Sequence, residues 1–136
     1  IMFIVTFFMM SWTPLCGVEK CNFRHTRRKF GLTELIQIHH IIPRQFRNHP
    51  AIVRTGYQIE DGSNYMFMPN KRGKSKILTQ RLNHEGGHDA YNRFVGQTLD
   101  DMNTKKQKSE LLINIRSLAI YLRQQLRSGC PDIPWK

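Results

Sequence analysis

A chain of 136 residues has the length for one domain with a modest core and not for two. Its 21 Lys and Arg against 10 Asp and Glu give a formal charge of +11 and a pI near 10.1. That sign favours a polyanionic partner, nucleic acid first and an anionic membrane surface second, although a merely basic soluble protein has the same total. Three cysteines, Cys16, Cys21 and Cys130, cannot all pair within the chain, so no complete disulfide framework is available.

Residues 1–18 carry no charge and open on Ile1-Met2-Phe3-Ile4-Val5, but the apolar run is too short to span a membrane and Pro14 interrupts it. It reads as the h-region of a signal-peptide remnant, which would favour a secreted chain over an intracellular one. The competing reading is a buried strand, given the β-branched and aromatic content. Cys16, Cys21 and His25 invite a zinc site, yet their spacing is not that of a finger and no fourth ligand follows. Ordinary cysteines, or one disulfide, fit better. Residues 19–32 are basic and irregular, with Arg24, Arg27, Arg28 and Lys29 clustered. Thr33 then caps a helical or extended run; the pattern leaves both open.

Gln37-Ile38-His39-His40-Ile41-Ile42-Pro43 is strand-like and closed by proline. Neighbouring side chains of an extended backbone point to opposite faces, so adjacent imidazoles can do different jobs in one place. Arg44 to Pro50 reads as a loop or short helix, with His49 as a surface histidine. Ala51 to Ile59 has no clear period, and Glu60-Asp61-Gly62-Ser63-Asn64 is a turn by composition. Tyr65-Met66-Phe67-Met68-Pro69 reads as a second strand. Asn70 to Gln80 is expected to be a basic loop; from Gly62 to His84 there are five cations, Lys71, Arg72, Lys74, Lys76 and Arg81, and no acid. From His88, Ala90, Tyr91, Phe94, Val95, Leu99 and Met102 recur at helical spacing, until Asp100, Asp101, Asn103 and Thr104 break the pattern. Ser109 is expected to cap a strong helix over 109–128, with Leu111, Leu112, Ile115, Leu118, Ala119, Leu122 and Leu126 inward and Gly129 and Pro131 ending it.

His84 and His88 are four apart, so on a helix both imidazoles would share one face and one ion. With His39 and His40 upstream, four of the six histidines fall into two compact motifs. Imidazoles suit zinc, manganese or nickel better than an all-oxygen magnesium site. Gly86 and Gly87 between them would each cost a helix interior about 1 kcal/mol, which makes sense if a helix starts there or if something passes close by. His84-Glu85-Gly86-Gly87-His88 also matches the zincin pattern, with Glu85 as base and Glu110 as a third ligand. The paired glycines, the net charge and the idle His39-His40 count against that metalloprotease reading.

Taken together, His39-His40-Ile41-Ile42-Pro43, Asn64-Tyr65-Met66-Phe67-Met68-Pro69 and His84-Glu85-Gly86-Gly87-His88-Asp89-Ala90-Tyr91 resemble the HNH/endonuclease VII superfamily, and within it the AHH family. That family is common as a toxin module in bacterial polymorphic toxins, and colicin-type DNases have a similar histidine arrangement. Ile38 stands where the name expects alanine, at a position without chemistry. The resemblance implies an α+β fold: a ββα-metal (HNH/His-Me finger) core at 38–103, within a single nuclease domain 19–136 that carries additional C-terminal helices. It implies a metal-dependent endonuclease acting on nucleic acid, DNA before RNA, with one divalent ion (Zn, Mn, Ni or Mg). His39, His84 and His88 would be ligands, His40 the general base, and Asn64 the residue that holds the loop orienting His40. Arg44, Lys71, Arg72, Lys74, Lys76 and Arg81 would hold flanking phosphates. A toxin would also have an immunity protein as partner. The alternative from another class is a non-catalytic nucleic-acid-binding module with a structural zinc.

Overall fold

The structure, a computed structural model, describes residues 20–77 and 79–136, with side chains from Phe23 onward. The signal-peptide or strand reading of residues 1–18, and the zinc and disulfide readings that involve Cys16 and the Cys21 side chain, lie outside the described residues. Two strands, β1 (Ile36–His40) and β2 (Tyr65–Pro69), pair antiparallel, with Ile36 opposite Pro69, His39 opposite Met66 and His40 opposite Tyr65. Around them lie α1 (Lys20–Lys29), α2 (Pro50–Thr55), α3 (Lys71–Lys76), α4 (Asp89–Lys105) and α5 (Lys108–Ser128). This is an α+β fold of helices on a small two-stranded sheet.

Alternation along the strands divides the sheet into two faces. On one, Phe23 of α1 lies edge-on to Tyr65 and Phe67, at 5.5 and 5.0 Å between ring centroids. Met66 and Met68 on the other face enter the core with Ile41, Ile42, Ala51 and Ile52, together with Tyr91, Val95 and Leu99 of α4. Leu111, Ile115, Leu118, Ala119, Leu122 and Leu126 complete that core, so the apolar stripe of α5 is buried. Gly129 ends α5 in the left-handed conformation.

Several expectations are corrected. Residues 20–29 are helical and not irregular; the run KCNFRHTRRK has little apolar period of its own, and Phe23 against the sheet supplies the packing. Thr33 lies in a turn that leads to an extended run, and the strand stops at His40, before Ile41 and Ile42. The basic segment after Asn70 is helix α3, capped by Asn70, whose Oδ1 accepts from the Gly73 amide at 2.7 Å. Gly73 is required there, since a Cβ would sit 1.9 Å from the Leu35 carbonyl oxygen. α2 occupies a stretch without readable period because it is only six residues long. Its cap is His49, whose Nδ1 accepts from the Ala51 amide while Nε2 lies 3.0 Å from Asp100 Oδ1, so His49 is structural and half-buried. α4 continues through Asp100–Thr104 to Lys105, and Gln107, not Ser109, occupies the N-cap of α5.

Candidate metal centre

The segment from His84 to His88 is not a helix. It runs as an irregular connection in which Gly86 takes φ +71°, and α4 starts only after His88. The paired glycines therefore serve a turn: nothing lies within 4 Å of a Cβ built on Gly86, so no close approach is at issue. The helical face expected for His84 and His88 does not exist, and the turn brings the two rings together instead, at 4.7 Å between centroids. The zincin arrangement fails with the helix. Glu85 accepts a hydrogen bond from the Lys71 amide at 2.8 Å, and Glu110 pairs with Lys106.

Three elements build the site. β1 puts His39 on the core face of the sheet, 5% exposed. The chain after β2 delivers His84, whose amide donates to the Pro69 carbonyl at 2.7 Å. The N-cap position of α4 presents His88, whose side chain makes no capping bond. One ring nitrogen from each of His39, His84 and His88 lies within 4.8 Å of the others. Two nitrogens on one ion at 2.0–2.1 Å are at most about 4.2 Å apart, so small ring rotations would let all three reach a shared ion.

The chemistry of the donors fits a cation. His39 Nε2 and both ring nitrogens of His88 are buried without a hydrogen-bond partner among the described residues, a state that a metal ligand resolves. Burial, and then the neighbouring imidazoles, hold His39 well below the ordinary histidine range. Burial and His88 bring His84 down to about 4. Burial and Lys136 lower His88. All three are thus neutral near pH 7, the form that binds metal. His84 Nδ1 lies 2.5 Å from Gln37 Oε1. A side-chain amide oxygen only accepts, so Nδ1 carries the proton and Nε2 is left with the lone pair that could hold a metal.

His40 projects to the opposite face, with its ring 4.8 Å from that of Tyr65. Its Nε2 lies 3.4 Å from Glu60 Oε1. The Tyr65 hydroxyl donates to Glu60 Oε2 at 2.6 Å, and Arg44 Nε stands 3.2 Å from Oε1. Burial and the Glu60 contact push the Tyr65 phenol up, so it remains a donor. Asn64 is fully buried just after this group. Its Oδ1 accepts from the Ile42 amide at 2.8 Å and the Tyr57 hydroxyl at 3.1 Å, and its Nδ2 donates to the carbonyls of Ile42 and Ile59 at 3.0 and 2.9 Å. The Ile41 amide donates to the Asn64 carbonyl at 2.8 Å. The two residues after His40 are clamped to the start of β2 in this way.

The cations divide by what they touch. Lys71 and Arg72 line an open hollow of about 610 Å³ with Gln37, Asn70, Ser75, Glu34 and Glu85, next to His84 through Gln37. Lys76 is exposed, whereas Lys74 Nζ donates to the Thr79 and Arg81 carbonyls at 2.9 and 2.6 Å. Arg81 is half-buried and donates to the Phe67 carbonyl at 2.6 Å. Gln37, Glu60, Tyr65 and Trp135, which stacks on His88, carry no signal in the sequence beyond their residue types.

A two-stranded sheet whose inner face, following connection and next helix converge three imidazoles is an HNH-type ββα-metal core. The family model of AHH, described as a nuclease family of the HNH/ENDO VII superfamily with conserved AHH, matches residues 23–119, and the chain belongs to that family. It is a nuclease by that membership, with nucleic acid as its substrate class. No curated protein and no solved structure matches the chain. Among the described residues no helix is long and apolar enough to cross a membrane.

Proposed function

We propose that the chain is a metal-dependent endonuclease that hydrolyses phosphodiester bonds, DNA in preference to RNA, with one divalent ion held by His39, His84 and His88. The observation that carries this reading is the convergence of three neutral imidazoles, two of them (His39 and His88) with buried unpartnered nitrogens, with His40 one strand position beyond His39 and facing elsewhere. Three imidazoles favour zinc, manganese or nickel over magnesium. A structural zinc takes four protein ligands, and the three found among the described residues leave positions open for substrate and water, which argues against the non-catalytic module.

When bound, the ion supplies charge stabilisation at the scissile phosphate and the leaving 3′ oxygen. His40 takes the proton from the attacking water. With Glu60 facing Nε2, that nitrogen carries the hydrogen, and Nδ1 is left with the lone pair that accepts. Tyr65 and Arg44 hold the Glu60 carboxylate, and Asn64 holds the backbone on which His40 sits. Arg44, Lys71, Arg72 and Lys76 supply phosphate contacts at the surface, while Lys74 and Arg81 also brace the connection that leads to His84.

Cleavage of supercoiled plasmid and of structured RNA, with chelator and after return of Zn, Mn, Ni or Mg, tests the proposal. Expected is plasmid cleavage that chelator stops and a divalent ion restores. Nucleic-acid binding without cleavage under every ion would establish the binding module instead.

A further inference from the structure

A histidine that binds metal is ordinarily held by a hydrogen bond at its other ring nitrogen, which fixes the tautomer and the ring plane. His84 has such a partner in Gln37. His88 has none among the described residues: it makes no capping bond, and neither ring nitrogen is paired. What lies against its ring is Trp135. The indole stacks on the imidazole at 4.1 Å between centroids and 29° between planes. The same indole meets His39 edge-on at 5.6 Å and Tyr91 at 5.4 Å. Ile133, 5% exposed and part of the core, anchors the segment that carries it. Trp135 Nε1 is buried without a hydrogen-bond partner among the described residues, so the ring is placed by the faces it covers. Trp135 also lies outside the stretch matched by the family.

We infer that Trp135 is a positioning residue of the metal centre, holding the His88 imidazole in its ligating orientation by stacking where a hydrogen bond is lacking. The inference rests on the reading of His39, His84 and His88 as ligands. Offset stacking fixes the plane of the ring, and the bond to Cβ limits rotation within that plane, so a nitrogen on the rim stays directed at the ion and no ring nitrogen is spent on support. It also excludes water from that side of the cluster.

Fluorescence provides a direct readout, because Trp12 is the chain's only other tryptophan. In the Trp12→Phe chain, titration with Ni²⁺ should quench Trp135 emission, saturating at one ion per chain and reversing with chelator. Calorimetry on the same samples reports binding independently. Trp135→Ala should weaken Ni²⁺ affinity roughly 10- to 100-fold, the usual cost of losing support behind a ligand. Trp135→Phe should keep affinity within a few-fold of the parent, whereas Trp135→Leu, which fills space without an aromatic face, should follow the alanine variant. Binding seen by calorimetry with unchanged emission overturns the inference, and so does leucine serving as well as phenylalanine. Absence of any Ni²⁺ binding in the parent chain would overturn the metal reading itself and the inference with it.

Discussion

Asn64 concentrates more buried polar contacts in one side chain than any other residue at the site. Replacing it with alanine removes its bonds to the Ile42 amide, the Ile42 and Ile59 carbonyls and the Tyr57 hydroxyl. Each such bond is worth about 0.5–1.5 kcal/mol net, and backbone groups left buried without a partner add to that, so the loss should be about 3–5 kcal/mol. For a chain of this length each kcal/mol moves Tm by about 3–5 °C, which gives a fall of about 10–25 °C. Asn64→Asp keeps Oδ1 for the Ile42 amide and Tyr57 but sets a second oxygen against two carbonyls, and it should cost at least as much as alanine. Asn64 is not among the clustered imidazoles, so at low temperature the alanine variant should still bind metal while cleaving slowly. Thermal and urea unfolding followed by circular dichroism in chelator checks the magnitude. A fall in Tm below about 3 °C would refute the clamp, because it would mean that water replaces all four bonds without cost.

Three further outcomes are expected. Replacing Lys71, Arg72 and Lys76 together with glutamine should lower DNA affinity and flatten the salt slope by up to about 0.9 per lost contact; an unchanged slope would turn that surface away from the substrate. In chelator, stability should be level above pH 6.5, the ordinary value for histidine, and fall as pH drops towards about 4, the value to which burial and His88 bring His84. The unfolded chain binds protons in that window that the folded one refuses, so stability rises with pH there; a flat Tm from pH 7 to 4 would contradict the buried neutral cluster. Glu60→Ala should reduce kcat about tenfold, the worth of one polar contact to His40, with KM little changed and Glu60→Gln in between; a change in KM alone would make Glu60 a substrate contact.

How much could be read in advance depended on whether the information was local. The strand alternation that separates His39 from His40 is a property of consecutive residues, and it holds in β1. α5 announced itself because Leu111 to Leu126 repeat over a long stretch. His84 and His88 misled because spacing of four fits a helix, and only the positive φ at Gly86 shows that the chain turns there instead. α1 and α3 were hidden for a different reason. Their residues are mostly charged, and the helices are stabilised by Phe23 on the sheet and by the Asn70 cap rather than by an apolar stripe. Glu60 reads as part of a turn, and nothing local says that its carboxylate returns to His40, Arg44 and Tyr65. Trp135 is further still from the histidines in sequence, so its stacking on His88 is purely a product of tertiary packing.

The division of labour between His39 and His40 is tested most directly by measuring metal affinity and single-turnover cleavage side by side in His39→Ala and His40→Ala. His39→Ala should lose affinity and recover part of its activity in excess metal. His40→Ala should bind metal and DNA as the parent does, yet cleave roughly 100- to 10,000-fold more slowly, the range for a positioned general base. Loss of metal in His40→Ala with its retention in His39→Ala would exchange the two roles, and full activity in both would contradict the nuclease mechanism.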